Sequence, residues 1–188
     1  MNVEDAVRAR RSVKSFTGRP VSREAIEFLL ELATLAPNHR MTEPWGFVVL
    51  GPEARRAYGQ LRGEAKAKSA SVEDRSAADA IVAKVVAEFE AVPLIVVFTQ
   101  RRDARPDVEE EDHATVSMGI QSFLLGALSL GLGTHVKTVM DPDLPATRAA
   151  LGLAGDEKVV ALVHVGEPAE VRPSKPRTPA SARTRWLP

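Results

Sequence analysis

Residues 114–133 run for twenty positions without a charged side chain, and this stretch does most to limit what the chain can fold into. Twenty residues are enough in principle to cross a bilayer. The run, however, carries Thr115, Ser117, Gln121, Ser122 and Ser129 along with four glycines, and is only moderately apolar. A helix buried nearly all round, in a core or against a second copy, has that composition. The spacing therefore predicts a long buried helix with the remaining elements built around it. Glu109, Glu110, Glu111 and Asp112 come just before it, and carboxylates there suit the positive end of a helix dipole. With His113 they have no spacing that fixes a metal geometry, so they read as a solvated helix start. Gly131-Leu132-Gly133 ends the helix.

The other elements follow from periodicity and punctuation. Residues 2–9 read as a short helix with Val3, Ala6 and Val7 facing inward. Ser22 is a candidate N-cap. Behind it Ile26, Leu29, Leu30 and Ala33 mark a core-facing helix that Pro37 stops. Residues 47–50, closed by Gly51-Pro52, read as a strand and a turn. A helix is expected over 53–63, and the polar stretch 65–75 reads as a mobile surface loop. Ile81, Val82, Val85, Val86 and Phe89 restore helical spacing. Pro93 opens the continuous apolar run 94–98, suited to a central strand, and 100–106 reads as a charged, flexible connection. Residues 134–137 form a strand, 145–151 a short helix and 159–165 a second central strand. A proline-punctuated arm follows over about 167–188. Strands lie between helices without regular βαβ spacing. That predicts an α+β fold in which helices cover a mixed or antiparallel sheet. The 188 residues suit one domain with its own core, and no repeat or linker divides them.

Charge and residue types exclude several functions. Twenty-five basic side chains balance twenty-five acidic ones, so nothing draws the whole chain to nucleic acid or an anionic membrane. The arm holds Arg172, Lys175, Arg177, Arg183 and Arg185 with no acid after Glu170, yet no nucleic-acid-reading motif accompanies it. Trp186 and the prolines instead suggest an ordered arm that wraps a partner. The absence of cysteine removes disulfides, thiolate metal sites and a catalytic thiol, and fits a reducing cytoplasm. Glu4 and Asp5 stand where a secretion signal would need an apolar core. G-x-G-x-x-G, P-loop, G-x-S-x-G and H-E-x-x-H patterns are all missing. The histidines at 39, 113, 135 and 164 are scattered, and His164, between Val163 and Val165, reads as a packed strand residue.

Chemistry concentrates in three short segments. Arg10-Arg11-Ser12-Val13-Lys14-Ser15-Phe16 sets planar guanidinium forks, a hydroxyl and a point charge within five residues, which is an anion-seeking set. Ala36-Pro37-Asn38-His39-Arg40 leads into Glu43-Pro44-Trp45-Gly46-Phe47, and Lys175-Pro176-Arg177-Thr178-Pro179 lies in the arm. In this order and spacing the three resemble the signatures of the nitroreductase family of flavoproteins, and the length is similar to that of a compact member end to end. The resemblance implies a nitroreductase-like fold in an intertwined homodimer that shares two FMN sites between its subunits.

Such a site needs phosphate donors, a flat slot for the ring, and positive charge near the ring's N1 and C2 carbonyl, where reduction leaves negative charge. By the resemblance, Arg10 and Ser12, beside Arg11, serve the phosphate side, with Arg177 and Lys175 folding back from the arm. Lys14 supplies the charge at N1 and C2. Asn38 and His39 match the loop with which a partner subunit covers the flavin. Val136, Lys137 and Thr138 stand where relatives carry an aromatic-basic-hydroxyl triplet over the cofactor. Val136 in place of the aromatic implies a more open ring face, and Leu35 replaces a basic residue found in some relatives. Trp45 reads as core. The implied reaction is a ping-pong cycle: NADH or NADPH gives hydride to N5 and leaves, then a nitroaromatic or quinone takes its place. A dehydrogenase or dehalogenase on the same scaffold is the nearest alternative. Those reactions often need a lid, and the only candidates, 65–75 and 100–108, are short and polar. A non-catalytic flavin-binding module and a cofactor-free structural protein are the remaining readings.

Overall fold

The computed structural model describes residues 2–188. Its elements run α1 (Val3–Ala9), α2 (Arg23–Thr34), β1 (Trp45–Leu50), α3 (Pro52–Ser69), α4 (Arg75–Glu90), β2 (Leu94–Arg101), α5 (Pro106–Ser129), β3 (Gly133–Lys137), α6 (Pro145–Leu151) and β4 (Glu157–Gly166), with a 3₁₀ turn at Ala180–Arg183. The four strands form one sheet in the order β1-β2-β4-β3, and every neighbouring pair is antiparallel. The parallel component is a single bridge between Ser12 and Thr134.

Alternation along β2 and β4 supplies two cores, since successive side chains leave opposite faces of a strand. Val96, Phe98, Ala161, Val163 and Val165 pack with Ile26, Leu29 and Ala33 of α2 and with Val116, Ile120, Phe123 and Leu124 of α5. Ile95, Val97 and Leu162 face the other way, onto Tyr58, Val85 and Phe89 of α3 and α4 and Leu151 of α6. Ser22 caps α2 as the sequence predicts, accepting from the Ala25 N–H at 3.2 Å. Trp45 and Phe47 pack against the first core, and α6 spans the predicted residues, closed by Gly152 at φ 65°.

Several expectations need correction. Helix α3 runs on to Ser69 and α4 starts at Arg75, so 65–75 is helix with a short turn rather than a mobile loop. Strand β2 continues to Arg101 and Gln100 is fully buried, so the charged connection covers only 102–105. Helix α5 begins at Pro106, which places Glu109 to Asp112 inside it. Asp112 is buried, and its carboxylate accepts from the Thr42 hydroxyl at 2.5 Å, so it is not a solvated helix start. In α1 only Ala6 is buried, whereas Val3 and Val7 are 76% and 53% exposed. No helix among the described residues is long and apolar enough to cross a membrane.

Candidate functional site

The N-terminal motif is pinned to the sheet edge through its one apolar member. Val13 is buried, its N–H donates to the Thr134 carbonyl at 2.8 Å, and Ser12 bridges Thr134. A Cβ at Gly133 would lie 2.7 Å from the Val13 side chain, so the close crossing requires glycine there. With Val13 turned inward, alternation exposes Ser12 and Lys14. On the far side of the segment, the Ala169 N–H donates to the Ser15 carbonyl at 3.0 Å and Phe16 bridges Pro168. The arm therefore leaves the body beside this motif. Lys175 is six residues beyond Ala169, a reach of about 20 Å at most. Residues 170–188 are all exposed.

The two arginines have different surroundings. Arg11 turns back on α1, and its guanidinium donates to the carbonyls of Arg8 at 2.5 Å and Arg10 at 2.8 Å. A cation suits the carbonyl end of a helix. The Arg10 side chain makes no hydrogen bond or ion pair among the described residues.

Next to Lys14, side chains from four elements form a cationic corner. Lys137 of β3 is half-buried, and its ammonium lies 5.3 Å from the centroid of the Phe89 ring. The Phe89 and His164 rings meet edge to face with centroids 5.7 Å apart, and the His164 and His135 rings likewise at 6.0 Å. Burial, then the nearby Arg62 charge, hold Lys137 below the ordinary lysine range; Glu88 opposes them, and Lys14 adds a smaller lowering than Glu88 takes away. Burial chiefly, then Lys137, then Lys14 lower His135. Burial, with Lys137 and His135, lowers His164 to about 3, so it is neutral. Arg62 Nη1 and His164 Nε2 are buried without a hydrogen-bond partner. Val136 and Thr138, on either side of Lys137 in sequence, are exposed on the edge strand and just past it.

The second motif lies elsewhere. Asn38 organises its own loop: its side-chain oxygen accepts from the Glu43 N–H at 2.9 Å, and its amide donates to Thr42 at 3.1 Å and Thr115 at 3.4 Å. These bonds hold Met41 and Glu43 at φ 50° and 47°, a left-handed conformation unfavourable for both. His39 and Arg40 meet Glu111 at 3.2 and 2.9 Å, and Arg40, then His39, lower its carboxylate pKa. An open cleft of about 490 Å³ lies here, lined by Leu35, Asn38, Met41 and Trp45 among others. A larger one, about 540 Å³, opens at the start of α5 among Asp103, Glu109, Glu110, His113 and Lys158 and touches none of the motifs.

Within one protomer the two motif groups do not meet. Asn38 is anchored at Thr115, while Ser12 and Thr134 lie beyond the end of α5 at Ser129, about 21 Å along the helix. Strands β1 and β3 are also the two opposite edges of the sheet, about 14 Å apart. Sequence reasoning found Lys14 and Lys137 but missed Arg62, Phe89 and His164 as their neighbours, because three separate elements bring those together.

The Nitroreductase family model matches residues 7–167. YfhC of Bacillus subtilis (strain 168), provisionally named an NAD(P)H nitroreductase, is 32% identical over 183 residues, covering 96% of this chain and 92% of that protein. A nitroreductase-like family protein from Bacillus cereus superposes with a TM-score of 0.85 at 24% identity, over 100% of this chain and 96% of the other. A nitroreductase-type protein of Desulfovibrio desulfuricans, solved in complex with FMN, gives 0.75 at 22% identity, over 100% and 98%.

Proposed function

The chain belongs to the nitroreductase family, and from that membership we propose that it works as a homodimer, carrying electrons from NADH or NADPH to nitroaromatic, quinone or similar acceptors. It is an oxidoreductase with FMN as cofactor and NAD(P)H as donor. The observation that carries the reading is the convergence of Ser12, Lys14 and Lys137 along β3. A corner with several cations, one facing carboxylate and two unpartnered buried nitrogens fits the electron-rich pyrimidine edge of a flavin. Arg10, Ser12, Lys175 and Arg177 would hold its phosphate, since the arm leaves the body beside Ser15 and Phe16, a few residues past the first two. When bound, the flavin supplies hydride acceptance and donation at N5. Each cycle moves two electrons: NAD(P)H leaves as NAD(P)⁺, and a nitro acceptor gains two electrons and two protons to give a nitroso group and water.

The separation of the two motif groups along α5 favours the shared site. Two copies packed with their α5 helices antiparallel would bring the Asn38–His39 loop of one to the Lys14 corner of the other. The solvent-facing side of α5 suits such packing, because Ala114, Ser117, Met118 and Gln121 are exposed and uncharged over about two turns. The two segments that might have served as a lid are mostly helix and strand. That supports an open site with a broad acceptor range over a dehydrogenase or dehalogenase. Visible absorption of the purified protein, with FMN supplied and then NADH or NADPH added without oxygen, tests the reading. Flavin bands that bleach support it, and a protein that binds no FMN overturns it.

A further inference from the structure

Asn38 and His39 are neighbours in the loop that the shared site sets over the flavin of the second copy, yet their side chains have different surroundings. That of Asn38 is spent inside its own protomer. A backbone N–H can only donate, so the Glu43 N–H at 2.9 Å fixes which atom of Asn38 is the oxygen. The amide nitrogen then points to Thr42 at 3.1 Å and Thr115 at 3.4 Å, which uses both of its hydrogens. The His39 side chain is instead 72% exposed and is held through Nδ1, by Glu111 at 3.2 Å.

The direction of the Asn38 bonds is set from α5. The Thr42 hydroxyl has one proton and gives it to the buried Asp112 carboxylate at 2.5 Å, a charge-assisted length. With that proton committed, Thr42 Oγ1 can only accept from Asn38. Thr115 is committed in the same way, by donating to the Pro37 carbonyl at 3.1 Å. Both hydroxyls therefore demand the amide orientation that the Glu43 N–H selects independently. The Thr42 carbonyl accepts from the Arg101 guanidinium at 2.6 Å, so β2 holds the same residue by its backbone. Met41 and Glu43, on either side of Thr42, are kept at φ 50° and 47°, a conformation that persists in such residues only when their surroundings impose it.

We propose that Asp112 is a positioning residue for the flavin site: through Thr42 and Asn38 it holds the 38–43 loop in the path that presents His39 to the flavin of the second copy. The inference rests on the shared-site reading above, and it assigns the flavin contact in this loop to His39 rather than Asn38. Asp112 touches neither cofactor nor acceptor. Its effect passes through a chain of hydrogen bonds that runs one way only.

The test compares the full-length wild type with Thr42→Val, which keeps the shape without the hydroxyl, Thr42→Ser, which keeps the hydroxyl, His39→Ala, and the double variant His39→Ala/Thr42→Val. Fluorescence quenching gives the affinity for FMN, and light scattering gives the oligomeric state of the same samples. Thr42→Val is expected to weaken FMN at least about threefold in a dimer of unchanged mass, within the range for coupled neighbours. Thr42→Ser should restore wild-type affinity. The double variant should bind no more weakly than His39→Ala alone, because Thr42 acts through His39, whereas a general loosening would multiply the two losses. If Thr42→Val does not fold, Asp112→Leu with Thr42→Val removes both partners of the buried bond and carries the same expectations. Unchanged affinity in folded Thr42→Val, or in His39→Ala, overturns the proposal and leaves the flavin reading intact. So do Thr42→Ser behaving like Thr42→Val, losses that multiply in the double variant, and a loss that comes only with break-up of the dimer. A wild-type protein that binds no FMN overturns both.

Discussion

His164 is buried in β4 with one ring nitrogen unpartnered, and its pKa is lowered to about 3, chiefly by burial. In the unfolded chain the same imidazole titrates near 6.5. Between about pH 6.5 and 3 the unfolded chain therefore binds more protons than the native one. The contribution is complete above pH 6.5 and is lost as pH falls towards 3, with a slope of up to about 1.4 kcal/mol per unit. Urea unfolding at pH 7, 6 and 5 should show a shallower loss of stability in His164→Leu than in wild type; parallel slopes would refute the assignment. The adjacent arginines allow a second test. In the sequence Arg10 and Arg11 are indistinguishable members of one basic motif, and only the folded end of α1 separates them. Arg11 is engaged with the carbonyls of Arg8 and Arg10. Arg11→Ala should therefore cost about 0.3–1 kcal/mol of stability and leave FMN affinity nearly unchanged. Arg10→Ala should weaken FMN binding and leave stability nearly unchanged. Titration of apo-protein with FMN, paired with a melting curve, distinguishes the two; equal FMN affinity in wild type and Arg10→Ala would remove Arg10 from the phosphate side.

At the scale of elements, what could be read depended on how each element is packed. Strands β2 and β4 were legible because their buried residues form unbroken apolar runs, and α6 because Pro145 and Gly152 punctuate both ends. The second half of α3 was not, because it packs without large apolar side chains. Gly59, Gly63 and Ala67, four residues apart, are its buried stripe, and a Cβ on Gly63 would meet the Val82 Cα of α4 at 2.7 Å. A stripe of small residues every four positions was the available signal, but polar neighbours concealed it. Asp112 misled for a related reason: a carboxylate near a helix start is commonly solvated, and its partner Thr42 lies 70 positions away in sequence. The contact between α2 and α5 also depends on a small residue. A Cβ on Gly119 would stand 2.6 Å from the Ala33 carbonyl oxygen, a backbone atom that cannot swing away. Gly→Ala in an unobstructed helix gains about 1 kcal/mol, whereas overpacking costs about 1–3 kcal/mol. Gly119→Ala should therefore lower the urea midpoint, and a raised midpoint would show that α2 can move aside.

In the whole molecule, the features a single chain does not explain lie on its surface. Val3 and Val7 are exposed on α1, and Trp186 and Leu187 are 91% and 89% exposed at the end of an arm that lies wholly in solvent. The uncharged run of α5 was legible as a buried helix, but the choice between burial in its own core and burial against a second copy was not. Val116, Ile120, Phe123 and Leu124 face the core while Ser117, Met118 and Gln121 face outward, so the chain's own core covers only one side of the run. An uncharged outer stripe is where a second copy would pack, and charge placed there would have to be desolvated for the two helices to meet. Met118 is 43% exposed, so Met118→Glu adds a solvated carboxylate to the lone protomer and should leave its core unchanged. The motif groups at the two ends of α5 cannot reach each other within one chain, so under the proposed shared site a chain kept from pairing should lack the Asn38–His39 contribution. Met118→Glu should therefore elute as a monomer with a native circular dichroism spectrum, and bind FMN at least about tenfold more weakly, a loss of about 1.4 kcal/mol. Light scattering coupled to size exclusion, with an FMN titration on the same sample, measures both. A folded monomer that keeps full FMN affinity would show that one protomer suffices for the site.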